Sequence, residues 1–272
     1  MRRLFPAFIL LPLILLTHCG GKEPEDDTVT VRTVSTATGE LTLVFLGGCL
    51  VAERLVSYEL WTEVKNWAEN PARGGKVYSF TNEGRRYGAY TIEGMPGEEQ
   101  FEPVVDINWR DAAVWMNAFT EWYIEHAADY SETAGPLEPV YYSDAACTVL
   151  LRHADSRKGV FVMPGATGFR LLEAAVWEAA YRREISGYDE EGNPERLWLF
   201  PDIDGPNSQW CFDEETEGPV PARSWRGGGG RFRDVSCSCA VVPPARTMQP
   251  DRTSSLLGVR FCRTADSSAR GR

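Results

Sequence analysis

The chain has 272 residues, of which 43% are hydrophobic and 25% charged, and its formal net charge is −11. This is globular composition, long enough for one large domain with a sizeable core. The acidic balance favours solubility and argues against a nucleic acid as partner of the body as a whole.

The N-terminus opens with Arg2 and Arg3, followed by an apolar run over residues 5–16 that is too short to cross a bilayer comfortably. This is the pattern of an export signal. The run ends in Leu16-Thr17-His18-Cys19, which resembles a bacterial lipoprotein processing site. The resemblance implies that residues 1–18 are removed and that Cys19 carries acyl chains, enough for stable anchoring. The alternative is an ordinary signal cut nearby, with Cys19 incidental. Residues 19–39 are Gly-, Pro-, acid- and Thr-rich and read as a flexible tether. A lipid and a tether together predict a domain displayed at the cell surface or outer membrane.

From residue 40 to 265 the pattern is one mixed α+β domain, with 266–272 as a disordered tail. Two short strands are expected on either side of Gly47-Gly48. A helix follows, with Leu60, Trp61, Val64 and Trp67 at helical spacing. A polar, Gly-rich loop leads to a second helix whose apolar side carries Ala112, Trp115, Met116, Phe119 and Tyr123, with Asp111 placed to cap its start. Residues 161–163 read as a strand broken by Pro164-Gly165. Residues 171–183 read as a further helix with Leu172, Ala175, Val176, Ala179 and Ala180 available for the core. The remainder reads as loop. Loops this long in a compact domain point to function.

Apart from Cys19 there are six cysteines: Cys49, Cys147, Cys211, Cys237, Cys239 and Cys262. Export permits disulfides, but spacing does not fix their pairing. No CxxC and no His near a Cys at zinc-ligand spacing is present, so neither a metal nor another cofactor is expected. There is no GxSxG and no HExxH. His126 is expected on a helix surface and His153 in a loop. The glycines at 227–230 lack the Lys-Ser/Thr and the helix of a phosphate loop.

Four blocks carry a family resemblance. They are PVVDINWRDAAVWMNAF (103–119), GFRLLEAAVWEAAYRR (168–183), NSQWCFDE (207–214) and the pair ARSWRGGGG and LLGVRF within 222–261. In that order they resemble the formylglycine-generating, sulfatase-modifying-factor family. The resemblance implies a C-type-lectin-like fold, loop-rich with short strands and two main helices. Within these blocks Trp109, Trp115, Trp177 and Trp210 are expected in the core. Arg170 and Glu178 form either an ion pair or a solvated face. The oxygen-dependent enzymes of the family use two cysteines, five residues apart, just ahead of an Ala-Arg step. Here that step is Ala245-Arg246, and the corresponding positions hold Pro243 and Ser238. Soft thiolates suit Cu(I), and without them in register no enzyme activity is expected. A formylglycine-type oxidase acting on a protein cysteine, through a shifted Cys237/Cys239 pair, remains the alternative, as does a diverged inactive paralogue.

Residues 226–260 are compositionally skewed. They hold six Arg and two Asp but no Lys, Glu, Asn, His, Tyr or Trp. Some lectin-fold proteins related to this family carry a C-terminal variable region rewritten at template adenines by diversity-generating retroelements. Randomised AAC codons become NNC codons, which cannot encode Met, Trp, Gln, Glu or Lys. Only Met248 and Gln249 in this stretch belong to that set. Together with the export signal, the segment resembles the treponemal type of variable lipoprotein. The resemblance implies a ligand-binding face built from Arg231, Phe232, Arg233, Val235, Val241, Val242, Pro243, Thr247, Ser254 and Ser255. Trp225 and residues 257–259 would be its anchors. Arg and aromatic side chains are favoured anchors at binding surfaces. The basic cluster predicts a macromolecular, acidic partner.

Overall fold

Long-range pairing of short strands builds this protein around a single deeply buried helix. The computed structural model describes residues 31–36, 39–46, 48–87, 102–126, 136–155, 159–182, 184–188, 194–198, 200, 202–203, 207–215, 222–227, 246–255 and 257–265. Residues 31–36, 39–40, 184–188, 194–198, 214–215, 222, 227 and 246–247 are described by backbone alone.

The first sheet begins with β1 (Val31–Thr36), β2 (Gly39–Leu46) and β3 (Cys49–Ala52), each antiparallel to the next. Strand β1 falls where a tether was expected over 19–39, and Val31 sits opposite Val44. The β-branched Val and Thr residues of VRTVST fit a strand, so the tether expected over 19–39 overlaps β1. Helix α1 (Tyr58–Ala68) starts at Ser57, whose Oγ accepts from the backbone N–H of Leu60. A 3-10 turn (Pro71–Lys76) and the two-residue strands β4 (Arg85–Arg86) and β5 (Val104–Val105) lead to helix α2 (Trp109–His126).

Helix α2 departs from a one-sided pattern. Thirteen of its residues are buried, among them Asp111, Asn117 and Thr120. Such a helix needs internal partners for its polar groups. Asn117 donates to the carbonyls of Tyr141 (2.7 Å) and Leu151 (3.1 Å) and accepts from the N–H groups of Val140 and Tyr141. The cap of α2 is Asn108, whose Oδ1 accepts from Asp111 N–H at 2.8 Å. Asp111 instead reaches across to Thr81 and Asn82, accepting from Thr81 N–H at 2.7 Å and Asn82 Nδ2 at 2.6 Å. Burial raises its carboxyl above the usual range, against the pull of these hydrogen bonds. Along α2 the rings form a ladder. Trp61 stacks on Trp115 (5.5 Å), Trp115 on Phe119 (4.8 Å), and Phe119 meets Phe169 (4.4 Å) and Phe261 (5.1 Å).

Strands β6 (Tyr141–Tyr142) and β7 (Phe161–Val162) pair as a ribbon. The expected helix over 171–183 divides into strand β8 (Arg170–Leu171) and a shorter helix, α3 (Ala174–Tyr181). The buried positions of α3 are Trp177, Ala180 and Tyr181, while Ala175 and Ala179 are exposed. All four expected core tryptophans, Trp109, Trp115, Trp177 and Trp210, are buried. The second half, expected as loop, holds seven strands. They are β9 (Glu184–Tyr188), β10 (Pro194–Trp198), β11 (Ser208–Glu215), β12 (Ala222–Gly227), β13 (Arg246–Met248), β14 (Leu257–Val259) and β15 (Phe261–Thr264).

Two sheets result. In the first, of order β1-β2-β3-β15-β8, strand β15 lies between β3 and β8. In the second, of order β13-β12-β11-β14, strands β11 and β14 run parallel and the other neighbours antiparallel. The chain passes from β14 to β15, and so from one sheet to the other, through Arg260 alone. This residue is fully buried. Its Nε donates to Gln209 Oε1 (2.9 Å) on β11 and its Nη1 to the carbonyls of Ala52 (2.7 Å) and Glu53 beside β3. Its Nη2 pairs with Asp202.

Candidate ligand-binding face

The second sheet rests on α2 through its aromatics. Trp109 Nε1 donates to the carbonyl of Cys211 (2.9 Å), and Trp210 Nε1 donates to the carbonyl of Ile107 (3.1 Å). These two bonds fix β11 to the start of α2. Arg223 on β12 lies with its guanidinium 4.0 Å from the Trp109 ring and donates to the carbonyl of Phe212 (3.0 Å). Phe212 in turn stacks on Tyr141 at 5.7 Å. A cation held between two rings and a carbonyl makes the middle of β12 a fixed platform.

Beyond that platform β12 carries buried Ser224, half-buried Trp225 packed on the main core, and Arg226. Arg226 is ion-paired with Glu178 of α3 at 2.9 Å. Glu178 therefore pairs with Arg226, and at 3.8 Å with Arg182, while Arg170 points its Nη2 at Cys49 Sγ (3.8 Å). The expected alternatives of an Arg170–Glu178 pair or a solvated face both give way to these contacts. Arg226 and Arg260, the two ends of the skewed segment, are thus engaged within the fold, and the expected binding segment narrows to the residues between β12 and β14.

The register sets where that part leaves and returns. Trp225 on β12 sits opposite Arg246 on β13, and Ser224 opposite Thr247. Residues 228–245 thus connect two paired stems. Arg231, Phe232, Arg233, Val235, Val241, Val242 and Pro243, together with Ser238, Cys237 and Cys239, lie outside the described residues. Thr247 lies on edge strand β13, where the backbone alone is described.

After β13 the chain crosses the sheet to β14 on the opposite edge. Along this crossing Gln249, Asp251, Arg252 and Thr253 are exposed, whereas Ser254 and Ser255 are half-buried. The carbonyl of Ser254 accepts from Asp106 N–H and from Leu257 N–H, each at 3.1 Å. Asp106 holds a left-handed backbone, with φ of 57°, and its carboxylate pairs with Arg85 at 2.5 Å. Asp251 acts on Arg110 at the start of α2. Burial lowers the guanidinium below its usual range and the Asp251 charge opposes that shift. The crossing is closed by β14, whose Leu257 and Val259 are buried. Gly258 lies so close to β5 that a Cβ there would stand 3.0 Å from the carbonyl of Val104. Arg110, Asp106 and Arg85 carry no sequence signal for this role, since their partners are distant in the chain.

His126 is exposed in the last turn of α2, its Nδ1 2.9 Å from the carbonyl of Trp122. His153 is exposed, with Nδ1 3.0 Å from Ser79 Oγ. Among the described residues no group of three or more His, Cys, Asp or Glu side chains is arranged to hold a metal ion. No helix among them is long and apolar enough to cross a membrane.

No family model and no curated relative matches the sequence. Solved structures similar to it include the following two. The crystal structure of CarF has a TM-score of 0.56 and 17% identity, over 88% of this chain and 99% of that one. Treponema denticola variable protein 1 has a TM-score of 0.51 and 19% identity, over 87% of this chain and 92% of that one. At such identities the likeness is one of fold. The chain is a distant structural relative of both, a loop-rich α+β protein with few helices and short, mainly antiparallel strands.

Proposed function

We propose that this protein is a lipid-anchored surface binding protein, with a C-type-lectin-like scaffold of the sulfatase-modifying-factor type and a diversified ligand site between β12 and β14. The observation that carries the reading is the paired stem. Trp225 and Arg246 face each other in register, Arg223 and Arg226 are held from below, and the connection over 228–245 emerges from that fixed base. A rigid scaffold under a long connection is the arrangement that tolerates side-chain variation while keeping the fold. The likeness to a treponemal variable protein supports the same reading. Arg231, Phe232 and Arg233 are the leading contact residues, and they favour an acidic macromolecular partner. The site requires no cofactor.

Sequencing the DNA around the coding region tests this directly. A reverse transcriptase gene beside a near-copy of the segment encoding 228–255, differing from it at adenines, is the expected finding. A locus without either one overturns the diversified-site reading and leaves a diverged paralogue.

A further inference from the structure

Far from that face, the first sheet brings two cysteines together. In the pairing of β3 with β15, Cys49 sits opposite Thr264 and Val51 opposite Cys262. The two-residue period of a strand puts Cys49 and Cys262 on the same face as diagonal neighbours. The two thiols are close enough to act on each other's titration. Both belong to the smaller core cluster with Val44, Val51, Leu172 and Trp177. They are not equivalent. Cys262 is 1% exposed, with Sγ 4.0 Å from the carbonyl of Leu171, whereas Cys49 lies at the mouth of the β2–β3 hairpin and is 9% exposed. The guanidinium of Arg170 approaches Cys49 Sγ to 3.8 Å.

We infer that Cys49 and Cys262 are a redox-active pair, which a small disulfide oxidant converts into a covalent staple between β3 and β15. Cys49 is the attacking sulfur and Cys262 the resolving one. The Cys49 thiolate attacks one sulfur of an organic disulfide, forms a mixed disulfide and expels a thiolate. That thiolate takes the proton of Cys262. The Cys262 thiolate then attacks Cys49 Sγ and expels the second half of the oxidant as a thiolate, which is protonated by water. Two protein thiols lose two electrons and two protons, and one disulfide becomes two thiols. The electrostatics agree with this division of roles. The neighbouring Cys262 thiol, aided by Arg170, pulls the Cys49 thiol down to about 6, against the effect of burial. Cys49 and burial push Cys262 up.

The reduced full-length protein is incubated with oxidised glutathione, its free thiols are blocked with N-ethylmaleimide after unfolding, and its peptides are mapped by mass spectrometry. The expected product is a peptide pair joined through Cys49 and Cys262, with glutathione on half-buried Cys147 showing that the oxidant was active. In Cys262→Ser, glutathione remains on Cys49. In Arg170→Gln, the pH midpoint of Cys49 alkylation rises by about one unit or more. If Cys49 and Cys262 both carry the maleimide while Cys147 carries glutathione, the two are inert core residues and the inference fails. Glutathione on Cys49 of the unmutated protein, with Cys262 free, equally overturns it.

Discussion

Arg260 and Asp202 form an ion pair where the chain returns from the second large sheet to the first, between β14 and β15. The guanidinium is wholly buried, and the other oxygen of the Asp202 carboxylate accepts from Leu55 N–H at 2.6 Å. Removing Arg260 leaves the partly exposed Asp202 without its cation, and Gln209 and the carbonyls of Ala52 and Glu53 without this donor. Arg260→Met is expected to lower stability by about 3–5 kcal/mol. Arg260→Lys should recover only part of the loss, because an ammonium cannot reproduce the fork that reaches Gln209, Ala52 and Asp202 together. Urea denaturation of the three proteins checks this, and equal midpoints for Arg260→Met and the parent would contradict it.

Asn117 is the second polar keystone. In Asn117→Ala the N–H groups of Val140 and Tyr141 lose their acceptor inside the core. Each orphaned buried donor costs about 1–3 kcal/mol. The thermal midpoint should fall accordingly, and amide exchange at Val140 and Tyr141 should accelerate more than at Val64 in α1. Uniform acceleration at all three would show a global loss rather than a local one.

The proposed face divides residues by tolerance. Single changes at Arg231, Phe232, Arg233, Val241 and Thr247 should each move stability by no more than about 0.5 kcal/mol, as surface positions do. Val259→Ala, at a fully buried site on β14, should cost about 2 kcal/mol. A melting series in which the first group falls as far as Val259→Ala would place that segment in the core and end the binding-face proposal.

In the proposed anchoring, Cys19 is the residue that takes the acyl chains. The chain with Cys19→Ala should fail to incorporate radiolabelled palmitate in cells that label the unmutated chain. Equal labelling of the two would remove the lipoprotein assignment.

Oxidase chemistry is the competing proposal. Purified protein supplied with Cu(I), oxygen and a cysteine-bearing sulfatase peptide should leave the thiol unchanged by mass spectrometry, because Pro243 and Ser238 stand at the family's cysteine positions. Conversion to the aldehyde would reverse the proposal and direct attention to Cys237 and Cys239.

The helical half of the fold is legible because tryptophans mark it. Leu60, Trp61 and Val64, and Ala112, Trp115, Met116, Phe119 and Tyr123, recur at helical spacing, and α1 and α2 lie there. The seven strands after α3 are not legible in the same way. Most are short and mix polar with apolar residues, and several gain their hydrogen bonds from partners far away in sequence, as when β15 joins β3. Leu171 shows the same limit at one residue. Its neighbours favour a helix, but pairing with Phe261 makes it a strand. At the candidate face, the skewed composition marks the segment but not its fixed ends. That Arg226 is engaged by Glu178 and Arg260 by Asp202 follows from tertiary contacts.

Strand β15 fills the slot between β3 and β8, and it is encoded downstream of the whole connection between β12 and β14. A frameshift or stop codon anywhere in that connection deletes the strand that closes the first sheet, and with it Arg260 and Phe261. The product leaves Leu50 and Val51 of β3, and Arg170 of β8, without their partner strand, and Phe119 without one of its ring contacts. Such a chain cannot complete its core and is left to proteolysis. On the proposed reading, any rewriting of the upstream segment would be proofread by folding itself, since chains kept in frame to residue 264 are the ones that regain the closing strand.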